Sequence, residues 1–266
     1  MRPGKHVARR WAGCGAAGLV ILCAAAGPWT AQPRAAEPVD DLLVLAADVS
    51  RSINDDEFQL QRKGYAGAIA SQQVLNAIGA GEHHAIAVAF VEWAGEGEQK
   101  TVVEWSVVRD QATAQAFADR LLAAPRSFTG RTAIGAALDF ALNVMGEAGY
   151  DAPRHVIDVS GDGTSNQGRA VTEARDAALS AGAIVNGLAI FNKRAAAMGS
   201  YLATHTNPPG GIAKYYQDNV TGGPGSFVEQ IDDFNSFGEA MIRKLVSEIA
   251  SAAPPGGAQA AGGAPG

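Results

Sequence analysis

The sequence predicts an α/β fold, a three-layer sandwich with a mostly parallel central sheet, one antiparallel edge strand and helices on both faces. Apolar segments of strand length alternate along the chain with segments of helical periodicity. The strand segments are continuously apolar, which is typical of strands that are buried on both faces. One connection between strands is too short to hold a helix, and it predicts the antiparallel pair.

Six segments predict the strands of the sheet. They are DLLVLAAD (41–48), HAIAVAFVEWA (84–94), TVVEWSVV (101–108), HVIDVSG (155–161), AIVNGLAIF (183–191) and SFVEQI (226–231). Only EGEQK (96–100) connects the second segment to the third, so the third is expected to be the antiparallel edge strand. Helical patterns occupy most of the other connections.

Capping residues and apolar spacing predict the main helices. The first helix is expected to begin after Asn54, because asparagine is a good N-cap and Glu57 stands where it completes a capping box. Apolar residues at steps of three and four predict two further helices. One contains Ile134, Leu138, Leu142 and Met145, and the last helix of the chain contains Phe234, Phe237, Met241 and Leu245.

Both ends of the chain differ in composition from its middle. Residues 1–36 are predicted to be a signal peptide and a short linker, because basic residues precede a stretch of small apolar residues. This predicts export to the periplasm or the extracellular space, with membrane attachment only if the segment is retained or lipidated. Residues 253–266 are uncharged and rich in Gly, Ala and Pro, which predicts a disordered tail. The folded domain is expected to span residues 38–252.

The predicted exported chain is acidic and contains no cysteine. Cys14 and Cys23 are the only cysteines and both lie in the leader, so a disulfide within the folded domain is excluded. Loss of residues 1–27 would remove four of the 21 basic residues and leave 17 against 27 acidic residues, a formal charge of −10. Such a surface repels phosphates, and no nucleic-acid partner is expected.

Small oxygen-bearing side chains follow two of the predicted strands. Asp48 ends the first strand and is followed by Ser50 and Ser52, Asp162 follows the fourth strand between two glycines, and Thr132 opens a predicted helix. In an open α/β sheet, the carboxyl ends of parallel strands form the ligand crevice. Two carboxylates and three hydroxyls, without sulfur or imidazole, suit Mg²⁺ or Mn²⁺ better than zinc or copper. The sequence therefore predicts a site for a hard divalent cation.

These motifs resemble a known family of binding domains. DVSRS, Thr132 in GRTAIGAAL and Asp162 in SGDG are similar to the metal ion-dependent adhesion site (MIDAS) of von Willebrand factor type A domains. The resemblance implies that Asp48, Ser50, Ser52, Thr132 and Asp162 are the metal-site residues, with the hydroxyls bound directly and the aspartates partly through water. Within this group, the ending FVEQIDDFNSF resembles that of an uncharacterised family of exported bacterial proteins.

The leading hypothesis for function is a non-enzymatic, exported binding module. Its cation would have at least one exchangeable coordination position, which captures an Asp or Glu side chain of a partner protein or peptide. One alternative is a metal-dependent hydrolase, which requires a titratable group near metal-bound water; the sequence assigns none. The other alternative is a scaffold that binds through another surface.

Neither the histidines nor Ser160 has the sequence pattern of an enzymatic group. His83, His84, His155 and His205 show no paired metal-ligand spacing, so they are predicted to lie at the surface or at strand edges. Ser160 lacks the Gly-x-Ser-x-Gly pattern of a nucleophile. Neither observation favours an enzyme.

Overall fold

The computed structural model describes residues 36–197 and 200–251. The predicted signal peptide, apart from Ala36, and the predicted C-terminal tail lie outside the described residues. Within the described part of the chain, none of the helices combines the length and the apolarity needed to cross a membrane.

A six-stranded sheet forms the centre of the molecule. Its strands are β2 (Asp41–Asp48), β3 (Ile86–Trp93), β4 (Gln99–Val108), β6 (Arg154–Gly161), β7 (Ile184–Ile190) and β8 (Val228–Ile231). They lie in the order β4-β3-β2-β6-β7-β8, and β4 is antiparallel to β3 whereas all other neighbouring pairs are parallel. Two short strands, β1 (Glu37–Pro38) and β5 (Tyr150–Asp151), pair separately. The predicted mostly parallel sheet with one antiparallel edge strand is confirmed.

Helices connect most of the strands. They are α1 (Asp55–Ile69), α2 (Gln72–Gly79), α3 (Gln111–Ala123), α4 (Ile134–Gly146), α5 (Val171–Ser180), α6 (Lys193–Ala197), α7 (Ser200–Thr206), α8 (Ile212–Asn219) and α9 (Phe237–Ala250), the last preceded by a 3₁₀ turn (Phe234–Ser236). The predicted capping box is present, since Glu57 N donates to Asn54 Oδ1 (2.9 Å) and Asn54 N donates to Glu57 Oε2 (2.8 Å). This cap begins α1 immediately after the loop that carries the candidate site.

Apolar side chains fill both faces of the sheet. Alternate residues of β2 point to opposite sides, so Leu43 and Leu45 join one core while Leu42 and Val44 join the other. The first core contains side chains from α1, α2, α3 and α9, and the second contains side chains from α4, α5 and α8. A strand with apolar partners on both faces reads as a continuous apolar run. The predicted three-layer sandwich is therefore confirmed.

Candidate metal centre

The loop after β2 supplies the first three candidate residues. Asp48 is the last residue of a central strand, and it, Ser50 and Ser52 are all buried. Ser50 N donates to Asp48 Oδ1 at 2.7 Å, and the hydroxyl oxygens of Ser50 and Ser52 lie 2.9 Å apart. The alternate spacing in the sequence thus turns the serine side chains toward one point.

Two other loops bring Thr132 and Asp162 to the same point. Ser52 Oγ donates to Asp162 Oδ1 at 2.6 Å, and Thr132 Oγ1 donates to Ser50 Oγ at 3.3 Å. Thr132 is held by a reciprocal pair of bonds with Asn166: Thr132 N donates to Asn166 Oδ1 (3.1 Å), and Asn166 N donates to Thr132 O (2.8 Å). All five residues predicted as the site are therefore brought together, at the carboxyl edge of the parallel strands.

The glycines on either side of Asp162 allow other side chains to approach it. A Cβ at Gly161 would lie 2.4 Å from the hydroxyl of Tyr216 and 3.0 Å from Asp48 Oδ2. A Cβ at Gly163 would lie 2.3 Å from Nε2 of His205. Side chains thus occupy the space that a larger residue at either position would need, which is the close approach that the two glycines predict.

The surroundings of the two carboxyl groups of the centre disfavour their charged forms. Burial and the negative charge of Asp162 raise the pKa of Asp48 well above its ordinary value. Burial raises the pKa of Asp162 to about 6, although hydrogen bonds from Ser52 and Asn192 act in the opposite direction. Asp48 Oδ2 is buried and has no hydrogen-bond donor among the described residues. A cation at this point would relieve the repulsion and provide a partner for that oxygen, so the residues fit a divalent ion.

Asn192 is a site residue that the sequence analysis did not identify. Its Nδ2 donates to Asp162 Oδ2 at 2.7 Å and to Ser52 O at 3.2 Å, and it is buried. It follows β7 by two residues, so it lies at the same edge of the sheet as the predicted ligands. The rule that placed Asp48 and Asp162 at this edge could have identified it.

The prediction that His205 lies at the surface or at a strand edge is wrong. His205 belongs to α7, is 5% exposed, and places Nε2 at 3.2 Å from Thr132 Oγ1. Burial and the nearby charge of Arg51 lower its pKa, so the imidazole is neutral at neutral pH. The sequence predicted no imidazole near the site, but the ring of His205 contacts Thr132.

Arg126 holds the 49–53 loop through hydrogen bonds to its main chain. Its Nη2 donates to the main-chain oxygens of Val49, Ser50 and Ile53 at 2.8, 2.9 and 2.8 Å. Three bonds from one guanidinium hold the loop in the shape that presents Ser50 and Ser52.

Among the described residues, no three His, Cys, Asp or Glu side chains cluster as they do in a conventional metal site. The candidate centre depends instead on three hydroxyl groups beside two carboxylates, which is a set of hard oxygen ligands.

One family comparison identifies the chain. A family model described as "Protein of unknown function (DUF1194)" matches residues 38–253. The chain belongs to this family. No curated protein matches this DUF1194 member in a sequence search.

Several solved structures have folds similar to that of this DUF1194 protein, and one of them is described as von Willebrand factor type A. Proximal thread matrix protein 1 (PTMP1) from the mussel byssus is 17% identical with a TM-score of 0.58, over 81% of this chain and 49% of that one. The pilus adhesin SpaC from Lactobacillus rhamnosus GG is 15% identical with a TM-score of 0.55, over 82% and 31%. A von Willebrand factor type A protein from Catenulispora acidiphila is 16% identical with a TM-score of 0.52, over 80% and 43%.

These likenesses establish the fold. The DUF1194 chain spans no more than about half the length of the three solved chains. One PTMP1 structure is described as having a zinc-occupied MIDAS motif. The predicted resemblance to von Willebrand factor type A proteins and to an uncharacterised family is confirmed.

Proposed function

We propose that this DUF1194 protein is a non-enzymatic, metal-dependent protein-binding module that acts outside the cytoplasm. The observation that carries the proposal is the convergence of Asp48, Ser50, Ser52, Thr132 and Asp162 at the carboxyl edge of the sheet. The zinc-occupied MIDAS motif of PTMP1 supports a divalent ion at the corresponding place. The predicted signal peptide supports the location.

The hydroxyl and carboxylate side chains of the site would have different roles. The hydroxyls of Ser50, Ser52 and Thr132 would bind Mg²⁺ or Mn²⁺ directly, and the carboxylates of Asp48 and Asp162 would neutralise it, partly through water. Hydroxyls are weak neutral ligands, so the ion keeps enough positive charge to attract another carboxylate. A bound ion of this kind supplies charge and a fixed geometry for an Asp or Glu side chain of the partner.

Calorimetric titration of the full chain tests the metal part of the proposal. Mg²⁺ and Mn²⁺ are titrated into chelator-treated wild-type protein and into Asp162→Ala. The matched control is Asp56→Ala, which removes an exposed carboxylate from the first turn of α1. Saturable binding is expected in the wild type and the control and should be lost in Asp162→Ala. A folded wild-type chain that binds neither ion would refute the proposal.

A peptide array tests the partner part. Peptides that contain Asp or Glu are paired with versions in which each acid is replaced by Asn or Gln. Binding is expected only for acidic peptides, only with the metal present, and only for protein that retains Asp162. Equal binding to both members of each pair, or binding that survives chelation, would favour the scaffold alternative.

The second candidate function is metal-dependent hydrolysis, and the position of His205 favours it. A neutral imidazole 3.2 Å from Thr132 Oγ1 is a group that could accept a proton from water beside the ion. Phosphoester and peptide substrates, assayed with Mn²⁺, separate the candidates. Turnover that is lost in both Asp162→Ala and His205→Ala would establish the enzyme, and rates equal to the blank would count against it.

A further inference from the structure

We propose that a pocket beside the metal centre makes the protein prefer partners whose acidic residue has a large apolar neighbour, such as Leu, Met or Phe, within two positions along the chain. This inference rests on the proposed function, because it names a second side chain of the same partner. The pocket lies between the first turns of α1, the segment that follows β7 and the 3₁₀ turn before α9. Its volume is about 270 Å³. Small-molecule sites usually enclose about 300–1,000 Å³, so this pocket suits one side chain of a bound peptide better than a separate ligand.

The pocket adjoins the metal centre directly. Asn192 lines the pocket, and its Nδ2 also donates to Asp162 Oδ2 at 2.7 Å. Arg194 lines it too, and its Nη2 donates to Ser52 O. In an extended peptide, side chains two residues apart point to the same side and lie about 7 Å from each other. Because only the side chain of Asn192 separates the pocket from Asp162, a peptide held at the centre by its acid can place a residue one or two positions away in the pocket.

Apolar side chains form part of the wall of this pocket. They are Leu60 from α1, Phe191 directly after β7, and Phe234 from the 3₁₀ turn. In the part of the chain that the structure describes, Leu60 and Leu122 are the only large apolar side chains that are exposed. An exposed leucine alone is ordinary, but Leu60 shares a concave wall with two aromatic rings. A partner side chain that buries apolar surface against this wall gains free energy from its removal from water.

The charged side chains that line the pocket are paired with one another. Arg194 Nη2 lies 2.9 Å from Glu57 Oε2, and Lys193 Nζ lies 3.5 Å from Asp233 Oδ2. These two bases and two acids leave the pocket without net formal charge. A charged side chain of the partner would lose hydration on entry and would compete with an ion pair that already exists. An apolar side chain has neither cost, so it is the occupant that the pocket favours.

Peptide titrations test this preference. Peptides with a single Asp in a background of Gly and Ser are titrated into the full chain in the presence of Mg²⁺. Leu is placed in turn one and two positions before and after the Asp, and each Leu peptide has matched versions with Ala or Lys at that place. At the position that reaches the pocket, Leu should increase affinity by at least about tenfold over Ala, which is the gain expected from burial of most of its side chain. Lys should give no such gain.

Two variants at one position show whether the preference comes from this pocket. Leu60→Gln removes apolar surface but keeps a good helix former, and Leu60→Met keeps both properties. Leu122→Gln is the matched control, because it makes the same change at the other exposed leucine, on α3. The preference for Leu over Ala should fall by at least about threefold in Leu60→Gln, as expected for two side chains in contact, and should persist in the other two variants. Mg²⁺ affinity should change less than about twofold in all three, because the oxygen ligands remain.

The outcomes separate this inference from the proposed function. Equal affinity for Leu and Ala peptides in the wild type, a preference for Lys, or equal effects of Leu60→Gln and Leu122→Gln would overturn the inference while metal-dependent binding of acidic peptides stands. A wild-type chain that binds no acidic peptide in the presence of Mg²⁺ would overturn both.

Discussion

A buried lysine in α9 allows a quantitative test of how the last helix is held to the sheet. Lys244 is fully buried, and its Nζ lies 2.7 Å from Asp158 Oδ1 on β6 and also contacts the Glu248 carboxylate. Burial acts to lower the pKa of Lys244, but the two carboxyl groups outweigh it and raise that pKa. No hydrogen-bond donor other than this ammonium reaches the Asp158 carboxyl among the described residues. Replacement of Lys244 by Met keeps the apolar stem and removes the charge.

The expected loss in the free energy of unfolding is about 3–5 kcal/mol at pH 8, the cost of breaking a buried pair by removing one partner. The loss should shrink toward pH 5. Burial and the charge of Glu248 already raise the pKa of Asp158 to about 7 with Lys244 present. Without the ammonium, the pKa of the Asp158 carboxyl group in the folded variant is higher still. The folded variant then holds a proton on this group at pH values where the unfolded chain has released it. Its stability therefore rises as the pH falls below 8, more steeply than that of the wild type.

Urea unfolding at pH 8 and pH 5 measures this difference. The matched control is Arg243→Met, which removes an exposed pair with Glu229 (2.9 Å) and should cost less than about 1 kcal/mol at either pH. A loss below about 1 kcal/mol for Lys244→Met at pH 8, or a loss of equal size at both pH values, would refute the reasoning.

Two further predictions concern packing and loop support. A Cβ at Gly64 would lie 2.4 Å from Phe237 Cδ1, so Gly64→Ala should destabilise the fold by about 1–3 kcal/mol. Gly67→Ala on the same helix meets nothing within 4 Å and should raise stability by up to about 1 kcal/mol; thermal unfolding compares them, and equal effects would contradict the contact. Arg126→Met removes three hydrogen bonds to the 49–53 loop. It should weaken Mg²⁺ binding in calorimetry by about tenfold, as loss of a supporting partner does, and unchanged affinity would contradict the supporting role.

The sheet could be predicted because each strand carries its own short-range signal. Six segments rich in apolar residues located the six strands of the sheet, and their ends differ from the observed ones by at most two residues. The short connection at 96–100 identified the antiparallel edge, since it leaves no room for a crossover helix. The order of the other strands was not predicted. Local patterns do not determine it, because pairing depends on contacts between distant segments.

The five candidate ligands could be predicted for a related reason. Asp48 and Asp162 stand where a strand ends, and the ends of parallel strands share one edge. Asn192 obeys the same rule and was missed because a single asparagine after a strand is also an ordinary loop residue. His205 obeys no such rule, since it comes from a short helix 15 residues after the end of β7. Only tertiary packing directs its ring to Thr132.

Several glycines nevertheless indicated that other side chains lie close to the site. Gly187 lies within β7, where glycine weakens a buried strand and signals that another group approaches closely. A Cβ there would lie 2.9 Å from the ring of Tyr216, and a Cβ at Gly161 would lie 2.4 Å from its hydroxyl. Glycines at 161, 163 and 187 thus leave room for two large side chains, His205 from α7 and Tyr216 from α8. The identity of these side chains depends on the fold, but the two glycines that flank Asp162 predict that space is needed beside it.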